Sequence, residues 1–148
     1  MLTKLKKNSS CFCLFAVILL FSIACRDEQN NNIPFVEVNF QRNLNEPDLL
    51  NLQTIGGWVM VSGGSRGIIL YRTSSTEIKA YDRHCTFQPS STSALVSVDA
   101  NNFTASDQSC GSSFQLNNNG SVSSPPAVTP LKSYTTYIDN DILYVTNM

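Results

Sequence analysis

Beyond its first two dozen residues, this chain alternates apolar and polar positions with period two, separated by turn residues. That is the signature of half-buried β-strands. Phe35-Val36-Glu37-Val38-Asn39-Phe40 is the first such run. Trp58-Val59-Met60-Val61 and Ile68-Ile69-Leu70-Tyr71-Arg72 are instead two apolar runs, joined by Gly63-Gly64-Ser65-Arg66-Gly67, whose glycines accept positive φ and predict a hairpin. Glu77–Tyr81 and Ala94–Asp99 alternate again, with Asn101-Asn102 turning the chain into Phe103-Thr104. Gln115-Leu116 ends at Asn119-Gly120, and Tyr134–Ile138 is joined to Ile142–Val145 by Asp139-Asn140-Asp141. Asn-Gly is the strongest short hairpin signal. Only residues 43–54 are ambiguous: Leu49, Leu50 and Leu52 after Pro47 suit either a short helical turn or a packed connection. Strands at this spacing predict an all-β barrel or sandwich, without internal repeats or a second domain.

The first 24 residues have a different character. Lys4, Lys6 and Lys7 precede an apolar run from Cys11 to Ala24, too short to span a bilayer but suited to a signal peptide. The run ends Ser22-Ile23-Ala24-Cys25, which resembles a bacterial lipobox although Ser22 stands where leucine is usual. The resemblance implies acylation (palmitate-type) of Cys25 as the mature N-terminus, and a membrane anchor. Plain secretion with a free Cys25 is the alternative. Arg26-Asp27-Glu28 resembles the surface-export signal of some Bacteroidota lipoproteins, and equally suits a solvated tether. The expected organisation is therefore signal peptide 1–24, lipidated N-terminus and tether 25–33, and one β domain 34–148. The expected location is the outer membrane or cell surface of a Gram-negative bacterium.

Charge narrows the function classes. The chain has 10 basic and 11 acidic residues, and three lysines leave with the signal peptide. The remaining domain is mildly acidic with no basic run, which excludes electrostatically driven nucleic-acid binding. The glycine-rich turn lacks the lysine and following helix of a phosphate loop. Ser90-Ser91 and Ser112-Ser113 carry no nucleophile-elbow pattern, so no catalytic constellation is expected. Tyr71, Tyr81, Tyr134, Tyr137 and Tyr144 suit either a recognition face or ordinary strand positions.

Two segments carry a more specific signal. Tyr81-Asp82-Arg83-His84-Cys85-Thr86-Phe87 is followed by Cys110-Gly111-Ser112-Ser113-Phe114, the Asn119-Gly120 turn, Pro125-Pro126-Ala127 and Pro130-Leu131. This layout resembles a Rieske domain, whose loops read C-x-H and C-x-x-H-G-S-x-F with a proline loop after them. The likeness runs from Gly57 to Asn147; Ser124 stands where family members often carry glycine. It implies a base sheet with a smaller loop-bearing subdomain inserted between its strands. Matched residue by residue, Cys85 falls on the first-loop cysteine, Phe87 on the first-loop histidine, Asp107 on the second-loop cysteine and Cys110 on the second-loop histidine. A Rieske [2Fe–2S] centre takes two thiolates and two imidazoles, and His84 is the single histidine of the chain. These positions read as vestigial, with no metal or cofactor expected and His84 an ordinary loop residue. A true [2Fe–2S] electron-transfer protein, using Asp107 or a second chain's histidine, is the alternative.

With Cys11 and Cys13 in the signal peptide and Cys25 acylated, Cys85 and Cys110 are left. Two cysteines in an oxidising compartment are most simply a disulfide. On the Rieske backbone that disulfide would replace the metal as the staple between the loops. A thiol–disulfide redox pair is the other possibility, with Arg83 and His84 beside Cys85. The expected role is a non-catalytic binding or structural accessory module, for a protein or small ligand that the sequence does not name.

Overall fold

The computed structural model describes residues 32–147. The segment read as a signal peptide, the expected acylation position Cys25 and most of the expected tether lie outside the described residues. Within the described residues, ten strands form two antiparallel sheets. The larger has the order β1 (Asn39–Asn43), β10 (Ile142–Thr146), β9 (Ser133–Asp139), β4 (Ile78–Asp82), β3 (Ile68–Arg72), β2 (Trp58–Val61). The smaller runs β5 (Ser97–Val98), β6 (Thr104–Ser106), β7 (Ser113–Gln115), β8 (Ser121–Ser124), and its sequence lies between β4 and β9. The fold class is thus all-β, with a base sheet and an inserted, loop-bearing subdomain, as expected. No helix among the described residues is long and apolar enough to cross a membrane.

Strand β3 explains how two layers share one sheet. All five of its residues are buried, which is why its first four read as a continuous apolar run rather than an alternation. Ile68 and Leu70 enter one core with Leu49, Leu52, Ile78, Ala80, Leu143 and Val145. Ile69 and Tyr71 point the other way, into a second core with Tyr81, Cys85, Val96, Phe114, Leu116 and Leu131. The second core joins the base sheet to the subdomain. The ambiguous stretch after Pro47 is a 3-10 helix, Pro47–Gln53, whose Leu49 and Leu52 close the first core.

Turn chemistry holds where it was read. Asn140 and Asp141 both have positive φ and close a two-residue β9–β10 hairpin; Asn119 and Gly120, also at positive φ, finish the longer loop of residues 116–120 between β7 and β8. Two readings are corrected. Phe35–Val38 is not strand: β1 begins at Asn39 because β10, its partner, ends at Thr146, and past that point Asn147 exchanges bonds with Val38 and donates from Nδ2 to the Val36 carbonyl. Phe35 is instead exposed, with the Lys132 ammonium over its ring. Ala94–Asp99 contributes just the two-residue β5, plus a bridge between His84 and Leu95.

Candidate functional site

The first loop leaves the end of β4 and is fixed there by Asp82. This carboxylate is fully buried and accepts four bonds. They come from the amides of Ser65 (2.6 Å), Arg66 (3.3 Å) and His84 (2.8 Å) and from the Tyr134 hydroxyl (2.6 Å). The glycine-rich β2–β3 turn, the first loop and β9 thus meet on one side chain. Gly64 lies so close that an added Cβ would collide with both the Tyr134 hydroxyl and the Asp82 carboxylate. That is the physical reason for glycine in this turn.

His84 is built into the same network. Its Nε2 lies 2.7 Å from the Pro89 carbonyl and its Nδ1 2.8 Å from Ser65 Oγ. A carbonyl can only accept, so Nε2 carries the proton and Nδ1 accepts from the serine hydroxyl. Neither nitrogen is left to bind a metal, and the side chain is the loop histidine expected from sequence. Burial lowers its pKa, with Arg66 and Lys132 acting in the same direction, against the Pro89 bond and Asp82. A folded-state pKa below the unfolded value of about 6.5 means the unfolded chain takes up the proton first. Stability is therefore retained above pH 6.5 and lost as the pH falls towards the depressed folded pKa. We expect melting temperatures to decline across that window in the wild-type protein, and the decline to flatten in His84→Gln.

The second loop, between β6 and β7, is organised by Asp107. Its Oδ1 accepts from the amides of Ser109 (2.8 Å) and Cys110 (3.4 Å), and its backbone bonds to Ser112 and Gly111 close the turn. Cys110 Sγ donates to Ser112 Oγ at 3.1 Å and accepts from the Ser112 amide at 3.4 Å. Ser112 Oγ in turn accepts from Ala127 N–H at 2.9 Å, tying in the proline loop, while Thr86 Oγ1 donates to Thr129 O at 2.6 Å from the other side. Three loops are thereby locked together by neutral hydrogen bonds.

Where the loops meet, Cys85, Asp107 and Cys110 bring donor atoms within 4.8 Å of one another, a possible metal-binding group. Cys85 and Asp107 are buried, and Cys110 is partly exposed. Phe87, the fourth of the matched positions, packs its ring against the second core. The two sulfurs are 3.8 Å apart, well beyond the roughly 2.05 Å of a disulfide. The bridge expected from sequence is thus not formed in the structure, which holds two free thiols in contact. The physical reason is visible: each sulfur has other partners, Cys110 with Ser112 in its own loop and Cys85 with the Phe87 amide in its own loop and the Asp107 carboxylate of the other. Burial pushes the Cys85 thiol pKa up, and Asp107 and Cys110 push it further. Its thiolate, the reactive form, is therefore scarce at neutral pH. Two thiols and one carboxylate, with no free imidazole, do not match the ligand set of a Rieske [2Fe–2S] centre.

Sequence reasoning missed the hub role of Asp82 and the buried cation of Arg72, whose guanidinium bonds the Leu52, Ser74 and Ser75 carbonyls. Of the five tyrosines, Tyr71, Tyr81 and Tyr134 are buried. Tyr137 is 55% exposed and stacks on Tyr144 across β9 and β10, ring centroids 4.4 Å apart.

No family model and no curated protein matches this chain. Among solved structures it is similar to the ferredoxin of carbazole 1,9a-dioxygenase from Nocardioides aromaticivorans IC177, at 13% identity and a TM-score of 0.49. That match covers 77% of this chain and all of the ferredoxin. A chain from the complex of reduced oxygenase and oxidized ferredoxin in carbazole 1,9a-dioxygenase aligns at 19% identity and a TM-score of 0.45, covering 62% of this chain and 81% of that one. The terminal oxygenase from Novosphingobium sp. KA1 aligns at 15% identity and a TM-score of 0.47, covering 80% of this chain and 31% of the oxygenase.

Proposed function

We propose that the protein is a lipid-anchored, extracytoplasmic accessory module on a Rieske-like scaffold that carries no iron–sulfur cluster, its loops stapled through Cys85 and Cys110. The observation that carries this reading is the contact between the two thiols, 3.8 Å apart, at the meeting point of the loops. The order of base sheet, inserted subdomain, paired loops and proline loop supports the scaffold. The occupied nitrogens of His84 and the apolar Phe87 support the loss of the cluster.

In an oxidising compartment, a disulfide-type oxidant accepts two electrons and two protons from the thiols. It departs as two thiols, and the Sγ–Sγ bond forms in the module. The raised pKa of Cys85 favours a structural bridge over a redox-active pair, because a buried thiol attacks slowly once reduced. The anchor rests on the pattern Ser22-Ile23-Ala24-Cys25 and the polar residues after it.

The test is iron analysis and a visible spectrum on the full chain, expressed with iron supplied and purified in detergent without oxygen. A colourless, iron-free protein is the expected result. Iron at the stoichiometry of a [2Fe–2S] centre, with charge-transfer absorption, would overturn the reading and make electron transfer the function.

A further inference from the structure

A second feature shares no residue with the thiol site. Where the base sheet meets the inserted subdomain, a groove of about 590 Å³ is lined by Asn51 of the 3-10 helix and the segment after it (Thr54 to Gly57), by Trp58 and Tyr71, and by the β5–β6 turn at Asn101 to Phe103. That volume lies in the range of small-ligand sites. The indole N–H of Trp58 donates to Asn102 Oδ1 at 3.0 Å, so the two sheets are bridged across the groove and its width is set.

Tyr71 gives the groove a specific demand. The residue is only 4% exposed, its ring belongs to the second core, and its hydroxyl has no hydrogen-bond partner among the described residues. Buried polar groups are almost always paired. Here the neighbour on the groove side is Gly56, at positive φ, and a Cβ there would lie 3.9 Å from the hydroxyl. Gly56 offers the hydroxyl no partner, which leaves its hydrogen bond to whatever enters the groove.

We infer that this groove is a binding site for a neutral saccharide. None of its lining residues is charged, which argues against phosphate, carboxylate or amine ligands. Trp58 and the 46%-exposed Phe103 offer aromatic surface to the C–H face of a pyranose. Aromatic rings of this kind combine large apolar contact with a polar edge. The Tyr71 hydroxyl and the amides of Asn51 and Asn102 are donors and acceptors suited to sugar hydroxyls; Asn102 keeps its Nδ2 group available because only its Oδ1 is held by Trp58. The groove is open rather than enclosing, which fits a segment of an oligosaccharide. The site supplies a ligand class for the accessory module, but does not depend on whether Cys85 and Cys110 bridge.

Trp58 is the only tryptophan of the chain, so its fluorescence reports on this groove directly. The experiment titrates the full chain, in a detergent without a sugar headgroup, with maltotetraose, cellotetraose and chitotetraose. A saturable change in Trp58 emission with at least one of them is expected. Tyr71→Phe, which keeps the ring in the core, is expected to weaken that binding roughly tenfold, the loss typical of one well-placed hydrogen bond. Phe103→Ala should weaken it comparably without unfolding the domain. No response to any of the three up to 20-fold above ordinary millimolar affinity, or a response unchanged in both variants, overturns the assignment.

Discussion

Replacing Asp82 with alanine is expected to destabilise the domain by about 4 kcal/mol. The mechanism is the loss of a fully buried acceptor for four donors: the amides of Ser65, Arg66 and His84 and the Tyr134 hydroxyl. Hydrogen bonds to a charged group contribute about 1.5–3 kcal/mol each, and donors left unpaired away from water add their desolvation cost. Water entering the space left by the carboxylate offsets part of the sum. Against a typical total of about 5–15 kcal/mol, the variant sits near the threshold of folding. Asp82→Asn retains one acceptor oxygen and should lose roughly half as much. Chemical denaturation of the two variants checks the ranking. Equal, small losses in both would show that the three segments are held by packing rather than by this carboxylate.

The other large effect concerns the thiol pair. In the oxidised protein, a bridge between Cys85 and Cys110, 25 residues apart, constrains the unfolded chain by about 3.5 kcal/mol on the chain-entropy estimate. For a domain of this size that corresponds to a melting temperature about 10–15 °C higher than in the reduced form. Oxidised and reduced protein with identical melting curves would show that no bridge forms. Cys110→Ser gives the control: it should melt like the reduced wild type and lose its response to reductant. Closure requires Cys110 to give up its bond to Ser112 Oγ, a weak contact by the standards of the stabilisation gained.

The fold was readable where the decisive physics is local. Asn119-Gly120 and Asn140-Asp141 supply positive φ at adjacent positions, so their hairpins follow from the residues themselves. The hairpin partner strand β3 was readable from the apolar run Ile68-Ile69-Leu70-Tyr71 after the glycine turn. The start of β1 was not readable, because it depends on where β10 stops, over a hundred residues away. The same division holds at the site. Cys85, Asp107 and Cys110 were singled out, with Phe87, by the resemblance to the Rieske loops, and the structure brings the three polar ones together. What holds them does not show in the sequence. Asp82 works through Ser65 and Tyr134, respectively 17 and 52 residues distant, and nothing in Tyr-Asp-Arg-His marks it as more than a strand-end acid. The groove at Tyr71 escaped notice for the same reason. An alternating tyrosine looks alike whether its hydroxyl is paired or not, and only the meeting of the two sheets distinguishes the cases.

The insertion of the subdomain within the base sheet also sets an order of events for folding. β4 and β9 are joined by only two register pairs, Ala80 with Tyr134 and Tyr81 with Ser133. Every residue of the smaller sheet lies between them in sequence. Closing that gap as a flexible loop is entropically costly and slow. The β6–β7 and β7–β8 hairpins need only short-range contacts, and once formed they shorten the effective path from Asp82 to Ser133. The seam of the base sheet is therefore a late product of assembly, and the two loops arrive at their meeting point only when that seam closes.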